Sequence, residues 1–331
     1  MQRSNLIDSV KQLLFRPDDG FEDLALQVFN YQAANNPVYS EYIQKLHIKP
    51  ASINSIERIP FLPISFFKSH EVKSGVWIPQ AAFESSGTTG LATSRHYVRD
   101  VGLYDDISTA IFEQFYGKAD QYHILALLPS YLERNNSSLV RMVDNLIKNS
   151  DSPYSGFYLN DFEQLLSTIN HCKSAGRQIL LLGVSFALLD FIEWSQVDLS
   201  GHIVMETGGM KGRRRELIRQ ELHDLLKNGF NVKEIHSEYG MTELLSQAYA
   251  KGSGGFTAGN TMRILLRDMY DPFDVSVKKK SGGVNVIDLA NIDTCSFIET
   301  QDIGAENQGV IEILGRFDQA DIRGCNLMVS V

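Results

Sequence analysis

A stretch rich in hydroxyl groups and glycine, FESSGTTGLATSRH at residues 83–96, is the first part of this sequence with evident chemical potential. Glycine lets a backbone approach a ligand closely, and successive N–H groups can surround an anion. Serine and threonine hydroxyls add neutral donors, and Arg95 adds a fixed positive charge. The pattern predicts a phosphate cradle, with a polar surface loop as the alternative. The predicted cradle residues are Ser85, Ser86, Gly87, Thr88, Thr89 and Gly90.

This stretch differs from the two commonest nucleotide-binding loops. Gly87 and Gly90 stand three residues apart and no Lys-Ser or Lys-Thr pair follows them, so the GxxxxGK[ST] pattern is absent. The GxGxxG pattern of dinucleotide-binding folds is absent as well. A phosphate cradle here would therefore belong to another class of nucleotide site.

Four further polar segments follow the first one in order along the chain. YGMTE at 239–243 comes directly after a strand-like run, and TQDIG occupies 300–304. GRFD at 315–318 and IRG at 322–324 complete the set.

The elements that must position these segments alternate between strands and helices. Buried strands are predicted at 121–129, 177–185, 202–209 and before residue 239, with helices between them. Such alternation implies parallel sheets, which bind ligands at the carboxyl ends of their strands. We predict an α/β core over 1–254 that includes N-terminal helices, and a β-rich subdomain over 255–331.

Composition excludes several classes of protein. The chain has 331 residues and a net charge of −9, with no basic stripe of the kind that binds nucleic acid. No apolar run is long enough to span a bilayer. The three cysteines show no CxxC spacing and the histidines no HExxH spacing, which argues against a disulfide framework or a zinc site. We therefore expect a cytoplasmic protein.

The polar segments together resemble the adenylate-forming superfamily, which includes acyl-CoA synthetases, luciferases and peptide-synthetase adenylation domains. The resemblance implies ATP and Mg²⁺ as cofactors, with SSGTTG as the phosphate loop. It implies that Tyr239 lies against adenine, that Thr242 contacts phosphate and that Glu243 holds magnesium. Asp302 would bind the ribose hydroxyls, although Gln301 replaces the usual glycine before it. Arg316 would contact ribose or phosphate.

Within that superfamily the chain resembles the LuxE-type acyl-protein synthetases of bacterial fatty-acid reductase systems. The segments that carry this resemblance are LPISFFKSH at 62–70, residues 127–143 and DIRGCNLM at 321–328. The family resemblance implies a layered α/β N-terminal domain, a missing C-terminal lid domain with its lysine, and an acyl group carried on Cys325. Cys172 and Cys295 are interpreted as structural.

The resulting functional prediction is ATP-dependent activation of a carboxylic acid, expected to be a fatty acid, as an acyl-adenylate. The acyl group would pass to a protein thiol, which makes the chain an acid–thiol ligase. Candidate partners are an acyl reductase, an acyltransferase subunit or an acyl carrier. Two alternatives stay open: a carboxylate–CoA ligase resembling phenylacetate-CoA ligases, and a non-catalytic nucleotide- or acyl-binding subunit of a reductase complex.

Overall fold

The computed structural model describes residues 2–16, 20–85, 93–128, 136–209, 217–252, 254–275, 280–307 and 309–317. Contacts within the chain divide it into two compact units. The central unit comprises residues 77–260, and the outer unit comprises 1–76 together with 261–331. The domain division after residue 254 stays a prediction, and the contacts differ from it by grouping the first 76 residues with the C-terminal strands.

The helices and strands of the described residues are numbered here along the chain. The helices are α1 Arg3–Leu13, α2 Phe21–Asn35, α3 Pro37–Lys45, α4 Phe66–Ser69, α5 Val101–Tyr116, α6 Ser138–Asn149, α7 Phe162–Ser174, α8 Ser185–Trp194 and α9 Arg219–Phe230. The strands are β1 Leu62–Pro63, β2 Ala81–Glu84, β3 Arg95–Val98, β4 Tyr122–Leu127, β5 Gly156–Phe157, β6 Gln178–Gly183, β7 Ile203–Glu206, β8 His236–Tyr239, β9 Ala248–Lys251, β10 Thr257–Ala258, β11 Met262–Arg267, β12 Ser281–Asp288, β13 Phe297–Asn307 and β14 Val310–Arg316.

The central unit is built on a seven-stranded sheet in the order β10-β9-β8-β7-β6-β4-β5. Strands β5, β4, β6, β7 and β8 run parallel, whereas β9 and β10 are antiparallel to their neighbours. All six residues of β4 are buried, as are five of the six in β6. Near-continuous apolar runs of this kind form strands that are covered on both faces. The alternation predicted from the sequence therefore produces the expected parallel sheet.

Caps fix where several helices of the central unit begin. The side chains of Asp100 and Ser137 accept hydrogen bonds from Leu103 N at 3.1 Å and Val140 N at 3.3 Å. Such bonds satisfy N–H groups that have no partner inside the helix. Ser137 is the N-cap of α6. These caps set the points where the chain turns back toward the sheet.

The outer unit contains a sheet in the order β1-β13-β12-β11, with β14 paired to β13. Strands β11 to β14 form antiparallel pairs, and the two-residue β1 pairs parallel to β13. Phe297 on β13 is fully buried and packs against the rings of Phe29, Tyr39 and Phe61. This aromatic cluster joins the N-terminal helices to the C-terminal strands within one hydrophobic core.

Two local expectations are wrong. The two prolines and the aromatic residues of 59–70 predict a connecting segment with exposed rings. The segment instead contains β1 and α4, and Phe67 is 1% exposed because it packs in the core. Gly229 predicts a helix end, because glycine is common just past the last helical residue. It lies inside α9 instead, where an added Cβ would come within 2.6 Å of Ile192. The left-handed residue that ends α9 is Asn231, with φ 52°.

Within the described ranges, no helix is both long enough and apolar enough to cross a membrane.

Candidate active site

The carboxyl edge of the parallel sheet carries three consecutive polar turns, which follow β6, β7 and β8. The turn after β7 is tied to the end of β6, because Thr207 N donates to Gly183 O at 3.1 Å and Ser185 N donates to Gly208 O at 2.8 Å. Thr207 Oγ1 is buried and has no hydrogen-bond partner among the described residues. A ligand at this edge could accept from that hydroxyl or donate to it. This is the edge at which open α/β sheets bind their ligands.

The predicted phosphate cradle is the connection between β2 and β3, an antiparallel pair. Ser85 stands at its base, where its N–H donates to Ser94 O at 3.1 Å and its Oγ accepts from Ser94 N at 3.0 Å. Arg95 pairs with Glu84 at 3.1 Å, and both lie on the hairpin. Ser86, Gly87, Thr88, Thr89 and Gly90 lie outside the described residues.

His96 connects this hairpin to the turn that follows β8. Its Nδ1 lies 2.9 Å from the carbonyl oxygen of Thr242, 146 residues away in sequence. Burial lowers the pKa of His96 to about 4, so the ring is neutral at pH 7. Since a carbonyl oxygen only accepts, Nδ1 carries the proton and donates it. The hydrogen bond holds the predicted phosphate-binding Thr242 beside the base of the predicted cradle.

Tyr239 is the last residue of β8, and the turn that follows contains Gly240, Thr242 and Glu243. Tyr239 lies against the Phe256 ring, with the ring centroids 5.6 Å apart. A Cβ at Gly240 would come within 2.5 Å of Glu238 Oε1, so a side chain there would displace the Glu238 carboxyl group. Glu243 is 5% exposed. Three of the predicted site residues, Tyr239, Thr242 and Glu243, therefore lie at the carboxyl end of β8 and in the turn that follows it.

Two buried glutamates beneath these turns were not identified from the sequence. Glu206 ends β7, and its Oε2 accepts from Gly208 N at 2.7 Å and Ser185 Oγ at 3.1 Å. Burial acts to raise the pKa of Glu206, but hydrogen bonds from His223, Ser237 and Gly208 N–H outweigh burial and lower it. Burial and then repulsion from Glu206 raise the pKa of Glu238 to about 8. The pattern METGG at 205–209 indicates a strand that ends in a glycine turn, but it does not show that Glu206 and Glu238 differ in protonation.

We expect Glu238→Gln to flatten the pH dependence of stability. The pKa of Glu238 in the folded protein, about 8, lies above the ordinary glutamate value of 4.5, so the folded protein binds the extra proton between these two pH values. The stability that protonated Glu238 contributes is therefore fully present below pH 4.5 and is lost as the pH rises toward 8. The loss is at most about 5 kcal/mol, since each pH unit corresponds to about 1.4 kcal/mol.

Urea unfolding of the parent and of Glu238→Gln at pH 5 and pH 8 measures this effect. Glu221→Gln on the exposed side of α9 is the matched control and should follow the parent. Parallel stability curves for the parent and Glu238→Gln would contradict the assignment.

Asp302 and Arg316 lie in the outer unit, on neighbouring strands. They are register partners of β13 and β14, with Arg316 Nε 3.8 Å from Asp302 Oδ1. Arg316 Nη2 also donates to Gln301 Oε1 at 3.1 Å. The motif at 300–304 and the start of the GRFD segment, separate in sequence, are therefore in direct contact. Asp302 itself is 8% exposed.

The donor groups suit magnesium. This ion is commonly held by one or two carboxylates while substrate phosphates and water fill the other positions. Glu243 supplies one carboxylate in the turn beside the predicted cradle. Among the described side chains, no group of three or more His, Cys, Asp and Glu residues could hold a metal ion.

Two of the three cysteines are within the described residues, and both are fully buried. Burial raises the pKa of Cys172 to about 11 and that of Cys295 to about 12. A thiol with so high a pKa forms almost no thiolate at pH 7, and the thiolate is the nucleophile. The interpretation of both as structural agrees with their surroundings. Cys325 lies outside the described residues.

Solved structures with the same fold are adenylate-forming ligases. A 2-hydroxyisobutyryl-CoA ligase in complex with 2-HIB-AMP and CoA, in its thioesterification state, shares 13% identity at a TM-score of 0.66, covering 96% of this chain and 69% of that one. An open conformation of that ligase, with the same ligands, shares 11% identity at 0.64, covering 88% and 73%. Apo MatB from Rhodopseudomonas palustris shares 15% identity at 0.51, covering 72% and 48%. No curated protein sequence matches significantly.

The fold is therefore that of the N-terminal domain of adenylate-forming ligases, as the sequence predicted. A model of the acyl-protein synthetase family, LuxE, matches residues 19–331, and the chain belongs to that family. It is an acid–thiol ligase that activates a carboxylic acid as an adenylate, and acyl transfer to a protein thiol is the reaction consistent with its family.

Proposed function

We propose that this enzyme uses ATP and Mg²⁺ to activate a fatty acid and then carries the acyl group on Cys325. The observation that carries the proposal is the Tyr239–Glu243 turn at the carboxyl end of β8, joined to the SSGTTG hairpin through the bond from His96 to Thr242. A carboxylate is a poor acyl donor because its leaving group would be oxide. Attack of its oxygen on the α-phosphorus releases pyrophosphate and converts that oxygen into part of a good leaving group, AMP.

The residues at the end of β8, together with Asp302 and Arg316, then have roles in positioning ATP. The Tyr239 ring offers a face to adenine, and Thr242 contacts the α-phosphate. Glu243 would hold Mg²⁺, which supplies neutralisation of phosphate charge when bound. Asp302 accepts hydrogen bonds from the ribose hydroxyls, and Arg316 contacts ribose or phosphate. Catalysis of this kind depends on position and electrostatics rather than on covalent protein chemistry.

The hairpin residues complete the phosphate site. The N–H groups of residues 86–90, together with the hydroxyls of Ser85, Thr88 and Thr89, would hold the β- and γ-phosphates. The bond between Ser85 and Ser94 supports this role, because it fixes the base from which the connection begins. The neutral His96 holds the carbonyl of Thr242 without adding a positive charge.

In the second half-reaction, the Cys325 thiolate attacks the acyl carbonyl and AMP leaves. The buried state of Cys172 and Cys295 supports this assignment, because neither forms the thiolate that attack requires. The two 2-hydroxyisobutyryl-CoA ligase complexes contain CoA, which is therefore the alternative acceptor. An acyl reductase, an acyltransferase subunit or an acyl carrier would receive the acyl group afterwards.

The test of this function is ATP–pyrophosphate exchange with short, long and aromatic acids, followed by a search for acyl-protein and acyl-CoA. Exchange with long-chain acids and a protein-bound acyl group is the expected result. Acyl-CoA in place of acyl-protein would favour the carboxylate–CoA ligase. No exchange with any acid would leave only a non-catalytic binding subunit.

A further inference from the structure

The strand that carries Asp302 contains a bulge at the position of the TQDIG motif. On β12 and β13, Asn285 pairs with Glu299 and Gly283 pairs with Ile303. Three residues of β13, numbers 300–302, therefore lie opposite the single residue Val284. A bulge interrupts the ladder of hydrogen bonds and redirects the side chains around it. The direction of Asp302 thus depends on how this bulge is held.

Arg267 supplies the hydrogen bonds that the interrupted ladder lacks. Its Nη1 donates to Val284 O at 2.7 Å and its Nη2 donates to Thr300 O at 2.8 Å, so one guanidinium joins the two strands across the bulge. Nη1 also donates to Asn285 Oδ1 at 2.9 Å. Val284 O additionally accepts from Thr300 Oγ1 at 2.8 Å. Thr300 Oγ1 in turn accepts from Asp302 N at 3.0 Å. Thr300 therefore links Arg267 to the Asp302 backbone, because its carbonyl oxygen accepts from Arg267 and its hydroxyl oxygen accepts from Asp302 N.

The surrounding sequence leaves room for this arginine. A Cβ on Gly283 would lie 2.5 Å from Arg267 Cζ, so only glycine permits the observed position. Arg267 is 5% exposed, and Glu299 Oε1 lies 3.6 Å from its Nη2. The Phe317 ring covers the guanidinium at 5.4 Å. A buried cation held by two carbonyls, an amide, a carboxylate and a ring is a costly arrangement, which points to a specific role.

We infer that Arg267 is a positioning residue for Asp302: it holds the bulge that aims the Asp302 carboxylate. This inference rests on the proposed role of Asp302 in binding the ribose hydroxyls. The two carbonyls that Arg267 joins require two donors at a fixed separation, which a guanidinium provides and an ammonium does not. Loss of the paired hydrogen bonds from Arg267 to Val284 O and Thr300 O would turn Asp302 away from the ribose without removing the charge of Asp302.

The experiment compares ATP with 2′,3′-dideoxy-ATP in pyrophosphate exchange. Arg267→Lys should raise the KM for ATP and reduce the preference for ATP over the dideoxy nucleotide about tenfold or more, because the charged carboxylate would lose its hydrogen bonds to the ribose hydroxyls. Asp302→Asn should reduce the same preference. The double variant should be no worse than Asp302→Asn, because the two residues act on one interaction. Arg263→Lys, on the same strand, is the control and should keep the preference.

A second variant covers the case in which Arg267→Lys unfolds. Gly283→Ala leaves Arg267 in the chain but displaces its guanidinium, and it should reproduce the lost preference. Suppose that Asp302→Asn loses the preference for ATP over the dideoxy nucleotide, but a folded Arg267→Lys or Gly283→Ala protein keeps it. That result would overturn the positioning role of Arg267 and leave the ribose assignment of Asp302 intact. Parental preference in Asp302→Asn would overturn the ribose assignment itself.

Discussion

Glu243→Gln should reduce ATP–pyrophosphate exchange by at least about 100-fold, because a metal that stabilises transition-state charge contributes several kcal/mol. Glutamine has nearly the same shape as glutamate but lacks the negative charge that attracts Mg²⁺. The parent should bind ATP more tightly with Mg²⁺ than without it, whereas the variant should show little difference. Calorimetric titration with ATP in the presence and absence of Mg²⁺ measures this independently of turnover.

The control for Glu243→Gln is the neighbouring carboxyl Glu238, whose raised pKa of about 8 leaves it largely neutral at pH 7. Glu238→Gln should therefore keep most of the exchange activity at that pH. Thermal unfolding establishes that Glu243→Gln is folded. A folded variant with near-parental exchange and an unchanged response to Mg²⁺ would remove Glu243 as the metal ligand.

Cys325→Ala should abolish the covalent acyl label and leave pyrophosphate exchange intact. The first half-reaction uses the carboxylate and ATP, so the thiol has no part in it, whereas the second needs a thiolate nucleophile. Incubation with ATP, Mg²⁺ and a radiolabelled long-chain acid should label the parent. Neutral hydroxylamine should release that label, as expected for a thioester.

The matched control for this experiment is Cys172→Ala. Cys172 is fully buried and its pKa is raised to about 11, so this variant should label like the parent. Full labelling of Cys325→Ala would show that another residue or a separate carrier accepts the acyl group. Label lost together with exchange would instead indicate damage to the adenylation site.

The sequence by itself determined the parallel sheet and the family. Strands such as β4 and β6 are nearly continuous apolar runs that only a doubly covered strand explains. The glycine and hydroxyl segments stand in an order that matches adenylate-forming ligases, and the family match over residues 19–331 confirms that resemblance. The resemblance to that superfamily also suggested Tyr239, Thr242, Glu243 and Asp302 as candidates, and their roles stay predictions.

Only the tertiary structure decided which groups meet and which are charged. His96 contacts Thr242, and Arg267 contacts Thr300, across separations of 146 and 33 residues that no local pattern encodes. Glu206 and Glu238 are the same residue type on adjacent strands, yet their pKa values shift in opposite directions. The physical reason is that protonation depends on burial and on neighbouring donors, and the folded chain brings both from distant segments.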